Sequence, residues 1–306
     1  MGQFCWTVTP FGCKNASKTA QALVDKILRG YYHAASSFQD DLVIWSASFA
    51  QHLVDLREVL SRLRNARLTA NADKCSFVMK KLNLLGHVIE DGVIKPSDDK
   101  LSVISEMSTD SLVTKKQLKS AVGLINFFRE FIQNCAELLV PLTNMLKKNM
   151  PDKIVWTKVS EECFQALKHA LLSKPCLFPA DVSKCYHLFT DASNLCVAAW
   201  IGQNDDENKM HPVAFASRKL SKHQMNWPVI HKELYAVVWS TEYFRHLLYG
   251  TEIHLYSDHR PIQWLHSLSV HSPRIARWAL LLQSFNITPH YIKGSENVVA
   301  DGLSRL

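Results

Sequence analysis

Tyr186-His187-Leu188-Phe189-Thr190-Asp191-Ala192-Ser193 reads as a strand that ends in an acid. Tyr186, Leu188 and Thr190 alternate at period two, and Asp191 stands where the run stops. A second run of the same form, Ile253, Leu255 and Ser257, stops at Asp258. Glu233 falls on a helix-like stretch in which Leu234, Val237, Val238, Phe244 and Leu248 share a broad apolar face, so the spacing predicts one long helix pinned to a sheet, with Glu233 in its first turn. Asp301 belongs to a short terminal segment. Should the four acids converge, each like-charged pair at ~4 Å repels by about 4 kcal/mol at an effective dielectric near 20. Convergence therefore predicts a divalent cation, and acids clustered at strand edges are the usual means of holding two magnesium ions around a scissile phosphate.

Composition permits this reading. The chain has 306 residues and 47% hydrophobic content, ample for two or three cores. Lys and Arg outnumber Asp and Glu by 35 to 28, and the net charge of +7 suits a phosphate-rich partner. Eight scattered cysteines form no Cys-x-x-Cys pair, which argues against a zinc knuckle and fits a reducing intracellular compartment. No apolar run approaches bilayer length and no charged-then-apolar leader is visible, so a soluble protein with no membrane partner is expected. Position 6 is Trp, which spoils the myristoylation pattern that Met1-Gly2 suggests. Oligomeric state is left open.

Toward the N-terminus, strand-like runs alternate with one long amphipathic helix in which Leu53, Leu56, Leu60 and Leu63 form a stripe predicted to cover a sheet. Asp91-Gly92 predicts a hairpin turn before Pro96. Helices dominate from there to about Lys174, with Leu118, Ala121, Val122, Ile125 and Phe128 on one face and Lys115, Lys116 and Lys119 largely off it. The final domain is expected to begin near Lys184.

The acids carry informative neighbours: Phe189-Thr190-Asp191-Ala192-Ser193, His231-Lys232-Glu233-Leu234, Ser257-Asp258-His259-Arg260-Pro261, and Asn297-Val298-Val299-Ala300-Asp301-Gly302-Leu303-Ser304-Arg305. In this order and spacing the segments resemble the ribonuclease H domain of gypsy-type LTR retrotransposons. Ala214-Phe215-Ala216-Ser217-Arg218-Lys219-Leu220-Ser221 continues the resemblance upstream. It implies a mixed five-stranded sheet with flanking helices, and four acids, Asp191, Glu233, Asp258 and Asp301, holding two Mg2+ ions, with Mn2+ as an alternative. The implied activity is hydrolysis of RNA in RNA–DNA hybrids. Arg260, Arg274, Arg277 and Lys293 are the expected contacts along the nucleic-acid track. Trp264 and Trp278 are expected in the core rather than as base-stacking platforms. Many members of the family carry a His in the loop before the last Asp; here that loop reads Lys293-Gly294-Ser295-Glu296-Asn297, and His290 falls back on the preceding strand.

Earlier segments resemble the reverse transcriptase of the same elements. Phe38-Gln39-Asp40-Asp41-Leu42-Val43-Ile44-Trp45 looks like the paired acids of the palm hairpin, where a tight turn must bring Asp40 and Asp41 to one metal site because strand neighbours point to opposite faces. Pro10-Phe11-Gly12-Cys13-Lys14-Asn15-Ala16-Ser17 with Gln21 resembles the part that closes over the nascent base pair, and Leu85-Gly86-His87-Val88 the hairpin that grips the primer. Gln21, Gly86 and His87 are thus expected nucleic-acid contacts. Gly123-Leu124-Ile125-Asn126-Phe127-Phe128-Arg129 and Pro141-Leu142-Thr143 with Lys147 and Lys148 resemble the thumb. Phe38 replaces the family's usual Tyr, Ser17 a common Pro, and Ala20 a common Phe. The family's fingers and first palm Asp have no counterpart here, so DNA synthesis is expected only of a longer protein that supplies them. The expected organisation is an α/β and α+β multidomain chain, with a partial palm over 1–95, thumb over 96–150, helical tether over 151–183 and ribonuclease H domain over 184–306. The competing expectation is a catalytically silent nucleic-acid-binding or interaction protein derived from such an element.

Overall fold

Runs of apolar residues from Tyr186 onward build a five-stranded sheet whose middle strands are buried on both faces. The computed structural model describes residues 12–258 and 273–292. These fall into two compact units divided between Lys80 and Lys81.

In the first unit, α1 (Ala16–Ile27) is followed by an antiparallel hairpin of β1 (Ala35–Phe38) and β2 (Asp41–Ile44), then by α2 (Phe49–Asn65). Leu28, Ala35 and Val59 form its small core. The expected leucine stripe of α2 does not cover a sheet as a whole: Leu53 and Leu60 are exposed, while Asp55 and Val59 are buried. Hydrogen bonding is the reason. Tyr31 Oη (2.7 Å), Ser46 Oγ (2.5 Å) and Gln51 Nε2 (2.8 Å) all donate to Asp55, so a carboxylate takes a core position that a hydrophobic count assigns to leucine. Those bonds hold the Asp55 carboxyl below its ordinary range.

The second unit opens with an antiparallel three-stranded sheet of β3 (Lys81–Leu84), β4 (His87–Glu90) and β5 (Val93–Pro96). Both of its turns are two-residue connections with positive φ throughout, Leu85-Gly86 (49° and 82°) and the expected Asp91-Gly92 (51° and 73°). Ile94 exchanges backbone hydrogen bonds with Leu177 (2.7 and 2.9 Å), which ties these strands to the rest of the unit. Helices α3 (Asp98–Glu106), α4 (Lys115–Phe127), α5 (Cys135–Met145) and α6 (Lys158–Leu172) follow. The α4 face is as its spacing predicts, with Leu118, Ala121, Ile125 and the capping Phe128 buried.

The large sheet contains β6 (Tyr186–Ala192), β7 (Cys196–Asn204), β8 (Met210–Lys219), β9 (Glu252–Ser257) and β10 (Asn286–Tyr291) in the order β10-β9-β6-β7-β8. β6, β7 and β8 are antiparallel, whereas β6–β9 and β9–β10 are parallel. Helices α7 (Lys222–Met225), α8 (Val229–Tyr243), α9 (Arg245–Leu248) and α10 (Pro273–Leu282) complete the unit. Tyr186, Leu188, Ile253 and Leu255 face Leu234, Val237, Ile275 and Trp278 of α8 and α10. Phe189, Trp200 and Phe215 belong instead to the core built by α3 to α6. The segment expected as a tether and the helices before it therefore form a layer on the sheet. At their junction the Ala136 amide donates to Ser217 Oγ (2.8 Å) and Arg129 donates to the Ser217 carbonyl.

The single helix expected through Leu248 is two. It ends at Tyr243, and Phe244 and Leu248 are buried beyond it. Ser240 and Thr241 both donate side-chain hydrogen bonds back to the Val237 carbonyl, a competition with the helical ladder that bends helices. Because α8 begins at Val229, Glu233 opens its second turn rather than lying in the first.

At Gly86 a Cβ would meet the Phe127 ring at 3.2 and 3.3 Å, on a backbone with φ of 82°. Gly86→Ala is expected to lower the unfolding free energy by about 1–3 kcal/mol. Denaturant titration measures this, and an unchanged midpoint would contradict it.

Candidate active site

Parallel pairing of β6 and β9 sets their C-terminal ends at one edge. Asp191 and Asp258 each stand two residues beyond the registered pair Phe189 and Tyr256, and so lie side by side. Helix α8 packs on both β6 and β7 and brings Glu233 to the same place. One carboxylate oxygen from each of Asp191, Glu233 and Asp258 lies within 4.8 Å of the others. The two strand-end acids are exposed, whereas Glu233 is 5% exposed.

This gathering changes the acids. Burial, followed by the charges of Asp191 and Asp258, pushes the Glu233 carboxyl up to about 8. Asp191 is also raised, first by desolvation and then by Asp258; the backbone N–H of Ala192 opposes the rise and Glu137 adds to it. Glu233 Oε2 is buried and has no hydrogen-bond partner among the described residues. A buried carboxylate oxygen without a donor is costly. Oxygen-only donors with clustered negative charge are what a hard divalent cation takes, so the three residues fit one, and Asp191, Glu233 and Asp258 would hold it.

The other expected site residues are distributed as follows. Asp301, Arg260, Lys293 and Trp264 lie outside the described residues. Asp40 lies in the tight turn between β1 and β2, and Asp41 opens β2. Among the described residues they join no third acid in a group able to hold a metal. The turn is held by Gln21: its Nε2 donates to the Ser37 carbonyl (3.0 Å) and to Asp25 (2.8 Å), and the Gln39 amide donates to its Oε1 (2.5 Å). Here Gln21 is a brace for the acid pair.

His87 stacks on Phe127 and Phe131, with ring centroids 5.3 and 5.7 Å away, and burial holds its pKa below the ordinary value. Arg274 lies over the Trp227 ring at 4.3 Å, and its Nη1 is 3.4 Å from His231 Nδ1, while Arg277 is exposed on α10. Trp278 is buried, as expected. Two interactions around the acids escaped sequence reasoning. Lys232, 5% exposed, donates to Asn194 Oδ1 (3.1 Å), and Glu137 reaches Asp191 through its charge. Neither follows from local periodicity, because each acts across elements far apart in sequence.

Known proteins share this arrangement of segments. Residues 1–89 match the family described as reverse transcriptase (RNA-dependent DNA polymerase), and residues 181–285 match the RNase H-like domain found in reverse transcriptase. Over its whole length the chain is 38% identical to the Retrovirus-related Pol polyprotein from transposon 297 of Drosophila melanogaster, of which it spans 28%. It is 33% identical to the Transposon Tf2-3 polyprotein of Schizosaccharomyces pombe, of which it spans 23%. The chain thus covers less than a third of these relatives. Its fold is similar to that of the foamy viral protease-reverse transcriptase in complexes with double-stranded DNA (TM-score 0.79, 22% identity, 94% of this chain and 51% of that one) and with an RNA/DNA hybrid (TM-score 0.78, 23% identity, 94% and 39%).

The raised Glu233 carboxyl makes a prediction for the metal-free protein. Its folded value, about 8, exceeds the ordinary 4.5, so the folded chain retains a proton that the unfolded chain releases. That contribution to stability is full below the unfolded value and is lost as pH rises through about 8. In chelator, the Tm is expected to fall as pH rises through this range, and Glu233→Gln should flatten the fall. Thermal melts check both, and equal slopes for parent and variant would contradict the assignment.

Strand-end acids on a mixed five-stranded sheet, preceded by a two-acid hairpin and a helical layer, agree with both matches: residues 1–89 are similar to reverse transcriptases and residues 181–285 to the RNase H-like domain found in them, as both occur in transposon Pol polyproteins.

Proposed function

We propose that the RNase H-like domain hydrolyses the RNA strand of RNA–DNA hybrids with Mg2+, within a Pol-type protein of a gypsy-like LTR retrotransposon. The observation that carries this reading is the buried Glu233 carboxylate, its Oε2 without a donor, drawn up between two acids at parallel strand ends. Asp191, Glu233 and Asp258 are the proposed metal ligands, with Asp301 as the fourth. Divalent ions bound there supply an activated water and charge stabilisation at the leaving oxygen. The chain's own part is to hold the carboxylates in place from two strands and one helix, and to release the proton from Glu233 when the cation enters. The foamy viral relative in complex with an RNA/DNA hybrid supports the substrate class. Contacts to the 2′-hydroxyl across the minor groove would distinguish the RNA strand. Arg260, Arg274, Arg277 and Lys293 are proposed along that track.

The acids Asp40 and Asp41 are proposed to serve RNA-directed DNA polymerisation in a longer protein that adds fingers and a further palm carboxylate. Gln21 positions their turn, and Gly86 and His87 are the proposed primer-side contacts. In domain terms the proposal remains a partial palm over 1–95, thumb over 96–150, tether over 151–183 and ribonuclease H domain over 184–306.

Incubation of the purified chain with labelled hybrid tests the reading. Mg2+-dependent cleavage is expected, with a loss of at least about 10³-fold in Asp191→Asn, equivalent to some 4 kcal/mol of barrier. Cleavage that persists in that variant or in excess chelator refutes the assignment. Salt-sensitive binding that survives Asp258→Asn, without cleavage by the parent, would establish the silent binding protein instead.

A further inference from the structure

Three histidines line adjacent strands of the large sheet. His187 on β6 is in register with His254 on β9, and His290 on β10 is in register with Tyr256. His254 Nδ1 and His290 Nε2 are 3.0 Å apart. The other ring nitrogen of His254 lies 3.7 Å from Glu252 Oε1, within ion-pair range. We propose that His254 and His290 form a chelating pair for a borderline-soft divalent cation of the zinc class, distinct from the oxygen-lined acid cluster.

Ligand chemistry supports the separation. Imidazole nitrogens suit zinc, nickel and copper, whereas carboxylates and water suit magnesium. Two zinc–nitrogen bonds of ~2.1 Å at a tetrahedral angle place their nitrogens about 3.4 Å apart, so the observed pair needs to open by only a few tenths of an ångström. A ligand imidazole must be neutral. A carboxylate facing the far nitrogen of a ligating histidine fixes its tautomer and strengthens it as a donor, and Glu252 is placed for that role. Without a metal, the two facing nitrogens share one proton. On binding, the donor ring moves its proton to its other nitrogen, which for His254 is the one toward Glu252.

His187 is a wall of this site rather than a ligand. Its ring stacks on His254 at 25° with centroids 5.2 Å apart, and its Nδ1 is 3.2 Å from Tyr256 Oη. The His254 side chain is 25% exposed. Because the pair bridges β9 and β10, the ion would clamp to the sheet a strand that, among the described residues, pairs on one side.

Titration of the full chain with Zn2+ in a large excess of Mg2+, read by calorimetry, tests the site. One zinc per chain and an upward shift in Tm are expected. His254→Phe and His290→Phe keep a ring in place but remove the nitrogens, and each should abolish binding. His254→Gln and His290→Gln repeat the test should the Phe variants fail to fold by circular dichroism. Glu252→Gln should weaken binding by about 10-fold or more. Asp191→Asn should leave it unchanged. Zinc binding that survives both histidine changes, or that disappears in Asp191→Asn alone, overturns the proposal.

Discussion

Three carboxylates drawn to within 4.8 Å of one another, one of them buried, set the main electrostatic constraint on the second unit. Mutual repulsion and desolvation both oppose the arrangement. It persists because each acid is attached to something stiff. Asp191 is on a strand paired on both sides, Asp258 follows the adjacent parallel strand, and Glu233 projects from a helix whose Leu234, Val237 and Val238 are buried against that sheet. Hydrophobic burial, worth roughly 25 cal/mol per Å2 of apolar surface, offsets the cost of the charges. Protonation of Glu233 relieves the remainder in the absence of a cation.

The opposite core matters as much to this edge. Phe189 and Trp200 stack at 4.2 Å with planes 3° apart, and with Phe215 they bury themselves among the helices that precede the sheet. Phe189 is two residues from Asp191, so packing of the helical layer bears directly on the strand end that carries the acid. Ser217 adds a polar join, since its hydroxyl and carbonyl accept from Ala136 and Arg129. Glu137 in the same helix contributes its charge to Asp191. The helices that precede the sheet are thereby physically part of the surroundings of the three acids.

The first unit solves a smaller problem in the same way. Two successive acids point to opposite faces in a regular strand, and a turn is required to change that. Gln39, with φ of 53°, makes the turn, and Gln21 holds it from α1 by bonds to Ser37 and Gln39. Asp55, buried under three donors, fixes α2 against Tyr31 and Ser46. Polar networks of this kind specify one packing only when every member is satisfied, and the Asp55 network meets that condition with three hydrogen bonds.

Local pattern determined much of this protein. Alternation at 186–190 and 253–257 marked the strands that end at the acids, glycine turns marked the hairpin at Asp91-Gly92, and the α4 face followed from helical spacing. Motif order marked the reverse transcriptase and RNase H-like segments. Period and motif depend on near neighbours, which is why they are legible. What only the tertiary structure decided depends on distant residues: the parallel register that sets Asp191 beside Asp258, the burial that raises Glu233, the helical layer on the sheet, and the alignment of three histidines on three strands. The leucine stripe of α2 and the continuous helix through Leu248 failed for the same reason. Asp55 and the hydroxyls of Ser240 and Thr241 follow hydrogen-bond partners, and no hydrophobic period encodes those.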